Sequence, residues 1–186
     1  MIRTLLLSDI RRLYPYMMRD GHLRVVTERE QVLHALRHPP PPSQVIPLFL
    51  CRHNAKQSQI AQTITEQTFK RQAFSAGSIP IRSGVINPLV EELLLNKQHD
   101  SKRLVSKHII PELIPIITHI IHCYEGDERV KETRIPTIPP TIYWNFGTST
   151  TMEQLYKQIE SNVESFLMEE EPNLSFSSDE QVFNWI

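Results

Sequence analysis

Glycine and cysteine are both scarce in this chain, at 5 and 2 of 186 residues against 14 prolines. Two cysteines, Cys51 and Cys123, cannot build a disulfide scaffold, and so few glycines leave most turns to residues that rarely adopt positive φ. Charge of one sign is lacking too. Lys plus Arg (20) balance Asp plus Glu (21) at a net charge of −1, so no global field steers the chain to nucleic acid or an anionic membrane. An anion site, if there is one, must be local. No stretch approaches the roughly 18 uninterrupted apolar residues of a membrane span, and no fixed-period repeat argues for a solenoid. The opening residues lack the ordered basic flank, apolar core and small-residue cleavage site of a secretory leader. The expectation is a cytoplasmic protein with reduced thiols, no nucleic-acid partner and no membrane association.

What is present is an ordinary globular composition, 40% hydrophobic and 22% charged in 21.7 kDa. That is enough for one core burying roughly two-thirds of the unfolded surface, and too little for a second full domain. Residues 1–42 read as a helical extension, with Leu5, Leu6, Ile10 and Leu13 at helical spacing, closed by a stiff run from Pro39 to Pro42. The main domain, 43–168, alternates short apolar runs with amphipathic helices. Strands are expected at 45–50, 73–75, 116–123 and 141–144. Helices are expected at 58–71, from Asn87-Pro88 onward, and at 152–167. Such alternation predicts an α/β, doubly wound fold of about four parallel strands with helices on both faces. Residues 169–186, opening on Glu169-Glu170-Glu171, read as an acidic, solvated tail.

The informative segment is Cys51-Arg52-His53-Asn54-Ala55-Lys56-Gln57-Ser58-Gln59. A cysteine at the carboxyl end of the first parallel strand, with a loop feeding a helix, sits where open α/β sheets place ligands. Loop N–H groups and the helix dipole there favour negative charge, so one site both supports a thiolate and binds an oxyanion. Asn54 tolerates the left-handed conformation such a loop demands and can brace it from inside. His119 and His122 are three apart on a strand, hence on opposite faces, which argues against a metal site. Cys123 at a strand end reads first as a small buried hydrophobe, with a redox partner role as the alternative.

These residues resemble the low-molecular-weight protein tyrosine phosphatase superfamily, and more closely its arsenate reductase branch. In that branch the loop reads Cys, any, His, Asn, Ala, any, Arg, Ser, Gln, and Cys51, His53, Asn54, Ala55, Ser58 and Gln59 match it. Ser75-Ala76-Gly77 is similar to the family's turn after the second strand, Asn87-Pro88 to its helix opening, and Tyr143-Trp144-Asn145-Phe146 to the approach to its acid loop. The resemblance implies Cys51 as nucleophile and Ser58 as the hydroxyl that keeps its sulfur ionised. It also implies Arg52, His53, Asn54, Ala55, Lys56 and Gln57 as the oxyanion cradle. The implied ligand is arsenate or phosphate, with no bound cofactor and a small external thiol or a glutaredoxin-like redox protein as reductant.

Two departures weaken the implied chemistry. Gln57 stands where the family has the arginine that clamps the anion, and Gly147-Thr148-Ser149-Thr150 stands where its phosphatases carry an acidic Asp. Losing one strong transition-state donor typically costs on the order of 10²–10³ in rate, and losing the acid typically 10²–10⁴. Arg52 and Lys56 are expected to form a solvated basic rim. Arg82, Arg103 and Arg129 are candidates for a distant replacement cation, and Asp127 and Glu128 for a replacement acid. The expected function is a weak arsenate reductase or phosphatase; the alternative is an inactive relative that binds an anion or a protein.

Overall fold

The computed structural model describes residues 34, 37–38, 44–79, 84–102, 104–109, 111–126, 139–148 and 151–171. The expected helical extension, the proline run and the tail beyond 171 lie almost wholly outside the described residues. Within them, four parallel strands form one sheet. These are β1 (Pro47–Cys51), β2 (Phe74–Gly77), β3 (His119–Glu125) and β4 (Thr141–Phe146), in the order β2-β1-β3-β4.

Central position explains the composition of β1. Leu48 pairs with Phe74 on one side and Ile120 on the other, and every residue of the strand is buried. A parallel strand covered on both faces reads as a continuous apolar run because neither side meets water. Alternation then divides the core. Phe49 and Cys51 face one cluster, with Ile60 and Ile64 of helix α1 (Gln57–Gln67), Val90 and Leu94 of α2 (Pro88–Asn96), and Leu155 and Ile159 of α3 (Met152–Glu170). Leu48 and Leu50 face the other, with Phe74, Val105, Leu113, Ile117 and Ile120 under a 3₁₀ helix, Pro111–Ile116. The four-stranded parallel α/β fold is the expected one, but among the described residues α1, α2 and α3 all pack on the Phe49 face, and the Leu48 face carries only the 3₁₀ helix.

Local chemistry explains the helix starts. Asn87 accepts from Leu89 N at 2.9 Å and Pro88 opens α2, while Thr151 and Gln154 form a reciprocal capping box at the start of α3. His119 and His122 do lie on opposite faces. His119 is edge-on to Phe166 of α3, and His122 stacks on Tyr143 of β4.

Several boundaries differ from expectation. The third strand starts at His119 rather than 116, because Pro115 has no N–H to give a ladder and the chain is wound into the 3₁₀ helix instead. It also continues to Glu125, held by pairing with Phe146. Helix α1 ends at Gln67, four residues early, and Lys70 turns the chain at φ 55°. Helix α3 runs on to Glu170, and Glu171 is no part of a solvated tail. Its Oε1 accepts from Val45 N at 2.8 Å and its Oε2 from Arg71 Nε at 3.0 Å, so it ties the end of α3 to the entry of β1. No helix among the described residues is long and apolar enough to cross a membrane.

Candidate functional site

The sheet order sends the chain from β1 outward to β2 and later back to β3 on the other side. Cys51 ends β1 at that switch point, where a crevice forms between diverging connections. The loop that follows is built around Asn54, which is fully buried at φ 48°. Its Oδ1 accepts from Lys107 N at 3.0 Å and Gln59 Nε2 at 2.9 Å, and its Nδ2 donates to Ser58 Oγ at 2.9 Å. Ser58 Oγ is also 2.9 Å from Cys51 Sγ. Asn54 Nδ2 donates to that oxygen, and either Ser58 Oγ or Cys51 Sγ can donate in the contact between them; with the Ser58 hydroxyl as donor the pair suits a thiolate.

Gly77 explains how the loop seats on the sheet. A Cβ there would lie 2.8 Å from Asn54 N and 2.9 Å from His53 C, so only glycine admits the loop backbone against the end of β2.

The loop's polar groups are sorted by direction of pairing. Every carbonyl from Cys51 to Lys56 is taken. Cys51 O accepts from Ser78 N, Arg52 O from Ile79 N, Ala55 O from Asn87 N, and Lys56 O from Gln59 N and Ile60 N. His53 O accepts from Ser106 Oγ at 2.6 Å and Asn54 O from Gln59 Nε2 at 3.0 Å. The backbone N–H groups of residues 53–58, by contrast, meet no acceptor among the described residues. Helix α1 starts here without a side-chain cap and without an acidic residue in its first turn, so its positive end is also uncompensated. Tied carbonyls beside N–H groups with no acceptor among the described residues form a nest of donors, a geometry that suits an anion.

A cleft of about 600 Å³ opens over the loop, lined by Cys51, Arg52, His53, Ala55, Lys56 and Gln57 and, across it, by residues 85–88 and 123–125. Gln57 is 9% exposed and faces this space with no charge. His53 is at the exposed edge, its Nδ1 2.8 Å from Ile79 O. Lys56 differs from the expected solvated rim: it lines the cleft, with Nζ ion-paired to the Glu125 carboxylate. Cys123 lines the same cleft, one residue beyond the Leu50–His122 pair and so beside Cys51 on the neighbouring strand. Burial pushes the Cys123 thiol well above the ordinary cysteine value, and Cys51 beside it pushes the same way.

Among the described residues, Glu125 is the carboxylate that lines the cleft. The sequence pointed instead to Asp127 and Glu128, which lie outside the described residues, as do Arg82, Arg103, Arg129, Ser149 and Thr150. The described start of the acid-loop stretch holds no carboxylate. Thr148 packs there against Gly126, where an added Cβ would lie 2.5 Å from Thr148 Cγ2.

No family model and no curated protein matches the chain. Solved structures do. A thioredoxin-dependent arsenate reductase of Corynebacterium glutamicum superposes with a TM-score of 0.67 at 19% identity, covering 90% of this chain and 88% of its own. An arsenate reductase of Archaeoglobus fulgidus gives 0.54 at 21% identity, over 65% and 98%. A low-molecular-weight protein tyrosine phosphatase of Streptococcus pyogenes gives 0.52 at 15% identity, over 68% and 93%. With the β2-β1-β3-β4 sheet and the cysteine loop at its switch point, the chain has the fold shared by arsenate reductases and low-molecular-weight protein tyrosine phosphatases.

Proposed function

We propose that the protein is a thiol-based oxyanion enzyme of the arsenate reductase type, with Cys51 as nucleophile, Ser58 as the hydroxyl partner of its sulfur, and residues 52–57 as the cradle. The observation that carries this reading is the loop in which every carbonyl from Cys51 to Lys56 is tied and the N–H groups of residues 53–58 meet no acceptor among the described residues, around a cysteine 2.9 Å from a serine hydroxyl. Backbone donors of this kind bind tetrahedral anions without any particular side chain.

In the proposed reaction the Cys51 sulfur displaces a hydroxyl of arsenate, which leaves as water after taking up a proton. A second thiol then attacks the Cys51 sulfur. The sulfur–arsenic bond breaks with its electron pair left on arsenic, so the two thiols are oxidised to a disulfide and As(V) is reduced to As(III). Cys123 lies beside Cys51 for that step, but its raised thiol makes it a poor nucleophile at neutral pH. A small external thiol or a glutaredoxin-like protein is therefore the proposed second thiol, and a further thiol reduces the disulfide. Neutral Gln57 and the missing acid-loop carboxylate make each turnover slow. Those same two features favour a second reading, in which the protein holds an anion or a protein partner without turning it over.

Arsenite formation from arsenate and excess dithiothreitol tests both. Slow formation by the wild type, abolished in Cys51→Ser, is the expected result. Equal formation by the two proteins overturns the assignment of Cys51, and none from a wild type that still binds arsenate selects the second reading.

A further inference from the structure

The loop is short of a positive charge at Gln57, and the cleft contains a cation already engaged by a carboxylate. Lys56 sits at the N-cap of α1, lines the same cleft as Cys51, and is ion-paired through Nζ with Glu125. The partners are 69 residues apart in sequence, so the pair is a product of the fold and not of a local turn. Their side chains are 28% and 27% exposed, which screens the attraction less than at an open surface. Glu125 is held in register on β3 opposite Phe146, whereas an ammonium on a four-carbon stem is a compact charge that re-aims readily.

We propose that Lys56 and Glu125 form an exchange clamp: an oxyanion bound over Cys51 draws the Lys56 ammonium away from Glu125. Lys56 then supplies the charge that Gln57 lacks, and Glu125 is a built-in competitor that sets how tightly the anion is held. The inference rests on the oxyanion reading of the Cys51 loop and adds to it the source of the cation and the group that opposes binding. Lys56 touches the ligand directly; Glu125 acts through Lys56.

The test uses the full chain and reads the concentration of inorganic phosphate that halves the rate of Cys51 alkylation by iodoacetamide. A charge-assisted hydrogen bond gained or lost changes affinity by about tenfold or more. Lys56→Met is therefore expected to raise the half-protecting concentration about tenfold, and Lys56→Arg to recover most of the loss. Glu125→Gln keeps the side-chain shape, releases Lys56, and is expected to lower that concentration about tenfold, a gain that a misfolded variant cannot mimic. In Lys56→Met/Glu125→Gln the gain disappears. If phosphate protects the wild type but Glu125→Gln stays within twofold of it, or its gain persists undiminished without Lys56, the clamp is wrong and the oxyanion reading stands. If phosphate protects Cys51 in none of these proteins, nor in Gln57→Arg, the clamp and the reading fall together.

Discussion

Gln57→Arg is expected to strengthen oxyanion binding at Cys51 and to raise arsenite formation by about 10²-fold, the scale of one strong charged donor in a desolvated site. Gln57 opens helix α1, is almost fully buried, and faces the cleft with an amide that donates hydrogen bonds but no charge. A guanidinium at that position forks onto two anion oxygens in one plane, which neither glutamine nor lysine reproduces. Room for it exists in the cleft of about 600 Å³, and the uncapped N-terminus of α1 already points the backbone donors at the same anion. The measurement is the half-protecting phosphate concentration together with the arsenite rate, in wild type and variant. A change below about threefold in both would show that missing charge is not what limits the site, since even a single weak ionic contact approaches that factor.

Gly77→Ala is the second large effect, and it links the sheet to the loop. The added methyl meets Asn54 N at 2.8 Å and His53 C at 2.9 Å, both backbone atoms. Backbone held by six tied carbonyls cannot move as a flexible side chain does, so the strain is relieved only by lifting the loop off β2. Overpacking of this kind costs about 1–3 kcal/mol. The lifted loop also breaks the Asn54–Ser58–Cys51 chain of contacts at 2.9 Å each, so phosphate protection of Cys51 is expected to vanish even where the variant remains folded. Gly147→Ala is the control. An added Cβ there meets nothing within 4 Å, and its stability is expected to stay within about 0.5 kcal/mol of wild type. Urea denaturation of the three proteins decides the matter, and a Gly77→Ala variant as stable as Gly147→Ala would contradict the seating described for the loop.

The parts of this molecule legible in the sequence are those fixed by neighbours in the chain. Cys51 at a strand end, Asn54 in the left-handed region and the Asn87-Pro88 helix start each follow from the chemistry of one or a few adjacent residues. Glu125 was missed because the polar run after Cys123 reads as the exit from a strand. Only pairing with β4, which continues to Glu125 and Phe146, carries the ladder two residues further and brings that carboxylate to the cleft. Glu171 was missed for the same reason at longer range: its partner Val45 is 126 residues away, and an acidic run read alone looks solvated. From sequence Lys56 belongs on the rim, because loop side chains usually turn outward and its partner Glu125 is not visible in one dimension. Composition and periodicity find elements; register between distant elements decides which charges meet.

Oxyanion binding at the Cys51 loop is read by following iodoacetamide modification of each cysteine by peptide mass at neutral pH, with and without phosphate or arsenate. Both cysteines are buried at the cleft, and it is the raised Cys123 thiol that keeps that residue out of the signal. Cys51 is expected to be modified and Cys123 not, and either anion is expected to slow the Cys51 reaction in a saturable way. A Cys51 rate unchanged by both anions would contradict oxyanion binding there, and would mean that the fold has kept the loop without its receptor.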